Sequence, residues 1–178
     1  WLVREVWNAP YVELWSFQSW AARTTAHIMP FAIVLFVAGL LKPNPLSIGP
    51  NEGYDPKFMG FVGVVRHPAL WGFSLWAGAH LFSNGSLAEV LFFGGLLFLS
   101  LAGMLIVDRR MKRTLGIEKW NIVSKGTSNI PFMGLLSGGN CRPTTRDGVV
   151  ILVGGALFAM ALWLHPILFG VYPLSGFY

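Results

Sequence analysis

Residues 65–107 read VRHPALWGFSLWAGAHLFSNGSLAEVLFFGGLLFLSLAGMLIV, two long apolar runs joined by Ser83-Asn84-Gly85-Ser86. Crossing a bilayer core about 30 Å thick takes around twenty apolar residues as helix. Asn-Gly readily supplies positive φ, so the junction predicts a tight turn and the pair an antiparallel helical hairpin. Into the first run the chain sets Arg66, His67 and Pro68 and, thirteen positions after His67, His80. A charge at a helix centre costs roughly 2.5–3.5 kcal/mol on insertion scales, so groups retained there mark a functional region.

Outward from this hairpin the pattern repeats. Apolar stretches are predicted to span the membrane over about 23–41, 59–82, 87–107 and 148–169, with Pro30 kinking the first, Pro68 inside the first turns of the second, and His165-Pro166 near the end of the fourth. Composition agrees: 54% of the 178 residues are hydrophobic and 12% charged, against about 25% charged in soluble domains. Eight tryptophans and fourteen phenylalanines suit aromatic belts at the two bilayer interfaces. The expected fold is all-α, a polytopic transmembrane helix bundle of about four spans forming one domain over 1–178, and the first partner is the lipid bilayer. Because the chain opens on Trp1 with no signal peptide in view, further hydrophobic helices are expected before it.

Charge sets the orientation. The segment 108–147 holds eight of the thirteen Lys and Arg residues, which places it in the cytoplasm by the positive-inside rule and the C-terminus on the opposite side. The expected location is a bacterial inner or intracytoplasmic membrane. Lys42–Lys57 lands on the cytoplasmic side too, and Pro43, Pro45, Pro50 and Pro56 make it a structured loop with little helix. The net charge of +5 therefore reads as topology, not nucleic-acid binding. The single cysteine, Cys141, excludes a disulfide framework and a CxxC site. Gly94-Gly95 and Gly154-Gly155 permit close helix packing, a routine feature of membrane bundles.

Chemistry rests on the four histidines, because Glu89 and Asp108 read as helix-end residues and no acid lies deep in a span. His67 admits two accounts. Proline strips a carbonyl of its donor, and Arg66 or His67 can satisfy it. Alternatively, neutral imidazole is a ready haem-iron ligand and Arg66 a bidentate partner for a propionate. His80 lies about 20 Å beyond His67 along an ideal helix, so the two cannot grip one metal. His27, His80 and His165 share the outer side, and His67 stands alone near the inner one. The basic run Asp108-Arg109-Arg110 with Leu115–Trp120 reads as snorkelling cations and an amphipathic surface segment.

RHPALWGFSLWAGAHLFSNGSLAEVLFFGG over 66–95 resembles the core of the NnrU family, as do ALWLHPILFGV over 161–171 and APYVELW over 9–15 with the following His27-Ile28-Met29-Pro30. The likeness covers essentially the whole chain, and its RHP, AHL-NG and LHP elements occur in family order. One branch of that family is the 15-cis-ζ-carotene isomerase of plants and cyanobacteria. Resemblance to it implies haem b held by histidines, and isomerisation of a carotenoid-like polyene governed by haem redox state. His67 is the residue matched as iron ligand, Arg66, His27, His80 and His165 complete the cofactor-binding candidates, and a second ligand is implied in a helix before Trp1. Bacterial members are named for a neighbourhood with denitrification genes. The RHP turn with LGIEKW and SNIPF (115–120 and 128–132) also resembles isoprenylcysteine- and phospholipid-type membrane methyltransferases, which use a Glu-Glu motif around S-adenosylmethionine. Here the matching place reads Asp108-Arg109, which lacks the second acid. Three functions follow: a haem-dependent isomerase, a non-catalytic subunit of a larger respiratory or photosynthetic membrane complex, and a methyltransferase.

Overall fold

The computed structural model describes residues 5–6, 8–50 and 52–174. Within them the chain forms α1 (Ser19–Leu41), the single turn α2 (Phe61–Val64), α3 (Pro68–Ser83), α4 (Leu87–Leu115), α5 (Ile117–Ser124), a 3-10 turn (Met133–Ser137) and α6 (Thr145–Phe169). Packing makes a row in the order α6, α1, α3, α4, with α1 and α3 central. Outward-facing Leu91, Phe98, Leu99 and Leu105 on α4, with Leu152 and Trp163 on α6, present hydrocarbon to the surroundings. Such surface is stable in lipid, where a helix satisfies its own backbone. The protein is a membrane-embedded helical bundle.

Three helices, α1, α4 and α6, are long and apolar enough to cross a bilayer. The second expected span differs. Its helix begins at Pro68, not near Met59, so Pro68 occupies the first helical position, where its missing N–H costs nothing. Residues before it turn through α2 and reach Val65 extended. The remaining 16 residues of α3 cover only about 24 Å. The helix α1 runs unbroken through Pro30.

The hairpin forms as expected but for another reason. Asn84 has φ −118°, and Gly85 is not among the residues with positive φ. Instead, the Trp15 carbonyl occupies the place a β-carbon on Gly85 would take, and Leu14 N–H donates to the Gly85 carbonyl at 2.8 Å. The incoming N-terminal segment thus lies across the turn. Ser86 and Glu89 then cap α4 reciprocally.

Small residues set the helix spacing, though not all the expected ones. Gly154 packs on Val34, while Gly95 and Gly155 face open space. The closest approach is between α1 and α3, where Gly72 lies on the Ala32 carbonyl and the Phe36 backbone and Gly39 lies on Ala69. Ser74 donates to Ser100 at 2.9 Å, joining α3 to α4 with both hydroxyls buried.

Candidate functional site

The polar centre of the molecule lies where α3 begins. His67 is the residue before its first turn, with a side chain 0% exposed. Its Nε2 lies 2.9 Å from Asp108 Oδ1 and its Nδ1 2.7 Å from Ser47 Oγ. A carboxylate only accepts, so Nε2 carries a proton, and in the neutral ring the Nδ1 lone pair accepts from the Ser47 hydroxyl. The second Asp108 oxygen accepts from Arg66 Nη1 at 2.8 Å and from Asn129 Nδ2 at 2.7 Å. Arg66 further donates from Nε to Thr127 Oγ1 at 2.9 Å and from Nη2 to the Thr127 carbonyl at 3.0 Å, with its guanidinium 5.3 Å from the Trp120 ring centre.

Five segments converge here, and each has a local reason to hold its place. The proline-rich loop brings Ser47 beside fully buried Leu46, and its Asn44 donates to the Arg66 carbonyl at 2.7 Å. The basic segment brings Thr127 and Asn129, while Arg66 N–H donates to the Ser128 carbonyl and Trp71 Nε1 to that of Asn129, both at 2.8 Å. Phe132 adopts a left-handed φ of 64° and its N–H reaches the Val64 carbonyl at 2.7 Å.

Asp108 corrects the sequence-based placement of acids at helix ends. Helix α4 continues to Leu115, so this carboxylate lies inside it, turned toward the bundle and 17% exposed. Sequence reasoning also missed Ser47, Asn44 and Thr127, and named Asn129 only within the SNIPF segment. The one signal toward Asp108 was its match to the acidic position of the methyltransferase pattern.

A second buried pair stands nearby. Lys42 Nζ meets Asp147 Oδ2 at 2.7 Å and donates to Thr144 Oγ1 at 2.7 Å, with the two charged side chains 5% and 7% exposed. Asp147 in turn accepts from the Thr144 backbone at 2.6 Å, starting α6.

The other three histidines lie at the far end of the bundle. His27 Nδ1 lies 2.7 Å from the Arg23 carbonyl, His80 Nδ1 2.9 Å from that of Trp76, and His165 Nδ1 2.8 Å from that of Val171. A carbonyl only accepts, so Nδ1 holds a proton in each ring, and the neutral ring keeps its lone pair on Nε2. Thr25 Oγ1 donates to the Ala79 carbonyl at 2.9 Å and pairs with Ser83, which brings His27 to the level of His80. His80 and His165 lie within electrostatic range of each other. Around His80 runs an aromatic row, with Phe93 stacked at 5.2 Å, Trp76 at 5.5 Å, then Phe73 and Phe36.

A family model described as NnrU protein matches residues 1–173. The chain belongs to the NnrU family. No curated protein and no solved structure matches it.

In this NnrU-family chain the two histidine settings differ in what they offer a haem. His67 does not fit as packed: Nε2 is committed to Asp108, and Ser47 closes the Nδ1 lone pair inside a fully buried ring. Arg66 is likewise spent on Asp108 and Thr127 and offers no open fork to a propionate. His80 and His165 fit better in donor chemistry. A backbone carbonyl on Nδ1 is the outer-shell arrangement that orients an imidazole and directs its Nε2 to a metal. Among the described residues no three His, Cys, Asp or Glu side chains converge as a metal cluster.

Proposed function

We propose that this NnrU-family membrane protein is a haem b-dependent isomerase of a carotenoid-like polyene, with His80 and His165, and not His67, facing the iron. The observation that carries this is His80, a half-buried imidazole with its lone pair on Nε2, at the end of an aromatic row along α3. Phe36 and Phe73 are each 37% exposed, so that row presents aromatic faces to the lipid, where an extended apolar polyene dissolves. Haem b, when bound, supplies a redox-switchable iron beside the polyene. Isomerisation rotates one double bond and leaves the substrate's formula unchanged, so the chain itself has only to hold, align and screen the polyene. The Arg66–His67–Asp108 centre would then hold the helices in register and take no part in the bond rotation.

The test is the absorption spectrum of purified full-length protein expressed with ample haem, paired with chromatography of a cis-polyene substrate. A Soret band and cis-to-trans conversion, both lost in His80→Ala and both kept in His67→Asn, are the expected results. Absence of haem from well-folded protein would sink the proposal. The methyltransferase alternative draws support from Asp108 lying on the Arg66-His67 turn, and turnover of labelled S-adenosylmethionine, abolished by Asp108→Asn, would put it first. Stoichiometric purification within a larger complex, with neither activity, would favour the subunit role.

A further inference from the structure

Helix α4 is 29 residues long, about 43 Å, and so outruns a hydrocarbon core of about 30 Å by roughly nine residues. Counted from Leu87, about twenty residues bring the helix to Ile106. The next turns, carrying Arg109, Arg110 and Arg113, therefore stand at the level of the lipid headgroups.

Asp108 fixes which way these arginines face. Its carboxylate is held on the inner side by His67, Arg66 and Asn129. At about 100° per residue, Arg109 lies about 100° around the helix from Asp108, Arg113 about 140°, Ile106 about 160° and Arg110 about 200°. Arg113, Ile106 and Arg110 point away from the bundle and Arg109 toward its flank, and all four are exposed. With Thr114 they line one surface concavity of about 430 Å³. Among the described residues none of the three guanidinium groups has a hydrogen bond or ion pair, and Glu118, the next acid along the chain, is outside the lining.

Freely snorkelling cations would need no such arrangement. Here three uncompensated arginines flank exposed Ile106 on one open helix face, at headgroup depth, on a helix whose rotation is locked from the other side. Guanidinium forks match phosphate oxygens bidentately, and Ile106 suits the glycerol and first methylenes beneath. We propose that Arg109, Arg110 and Arg113 form a seat for the phosphate of an anionic phospholipid, with Ile106 as its apolar floor. The seat is independent of the haem-linked function.

Full-length protein in neutral mixed micelles is titrated with phosphatidylglycerol or with phosphatidylcholine of the same acyl chains, following thermal midpoint and lipid retained in native mass spectrometry. The wild type is expected to retain phosphatidylglycerol about tenfold more strongly than phosphatidylcholine, a preference weakened several-fold by molar salt. Arg109→Gln/Arg110→Gln/Arg113→Gln should abolish the preference, while Arg23→Gln at the other end leaves it intact. Should the triple variant not fold, Arg110→Gln alone must still lower retention. Equal retention of the two lipids by the wild type overturns the seat, as does an unchanged preference in a folded triple variant. Inorganic phosphate reproducing the full stabilisation, or preference surviving molar salt, overturns it as a lipid site.

Discussion

The two ends of the bundle treat their polar side chains in opposite ways. At the basic end, His67, Lys42 and Asp147 are buried and Arg66 and Asp108 half-buried, all joined across helices and loops, with Arg66 facing Asp108 and Lys42 facing Asp147. At the other end, His27, His80 and His165 each bond through Nδ1 to a carbonyl four or six residues away. Buried cross-chain pairs are costly to break, because removing one partner strands the other in a low dielectric. Locally tied imidazoles carry little of the tertiary structure and are cheap to redirect. The histidine most deeply embedded is therefore the least available to a ligand.

The contrast breaks most sharply at Asp108. Asp108→Ala should destabilise by about 3–5 kcal/mol, since it leaves Arg66 uncompensated and His67 without its acceptor, measured by reversible unfolding in mixed micelles. Lys42→Met comes next, at about 3 kcal/mol, and the double change Lys42→Met/Asp147→Leu should recover most of that loss. If Lys42→Met proves neutral, the pair is not the lock its burial suggests. Gly72→Val tests close packing away from both ends and should cost about 1–3 kcal/mol, because the Ala32 carbonyl and Phe36 backbone leave no room for a branched side chain. Ser74→Ala, removing the buried hydroxyl contact to Ser100, should cost about 0.6 kcal/mol. Least of all, His80→Phe should change stability by under about 0.5 kcal/mol. A loss as large as that of Asp108→Ala would erase the distinction between the two ends.

Much of the fold was legible because bilayer thickness imposes length and apolarity on each span, which fixes α1 and α6 closely and the start of α4, though not its end at Leu115. The start of α3 was not, because Met59–Val65 is as apolar as a membrane helix and only Pro68 marks the true first turn. Ser83–Ser86 shows a right turn with a wrong cause: Gly85 is needed for the Trp15 backbone, a contact seventy residues away that local φ preferences do not carry. The site was half legible. Arg66 and His67 announce themselves as ionisable groups in an apolar run, whereas Asp108, beside two arginines at a span's end, has the sequence signature of any membrane interface. What turns it inward is the loop bearing Thr127 and Asn129, whose path is set by Phe132 and Trp71 rather than by periodicity. The histidine arithmetic held: His67 lies at one end of α3 and His80 in its last turn.

The short α3 beside the long α4 has a mechanical consequence. A 16-residue helix spans about 24 Å, less than the hydrocarbon it sits in, and Asp108 keeps α4 from sliding along it to share the difference. With vertical slip forbidden, the shortfall of α3 must be absorbed by local thinning of the bilayer beside it. The bilayer is thereby drawn thinnest beside α3, where the aromatic row lies.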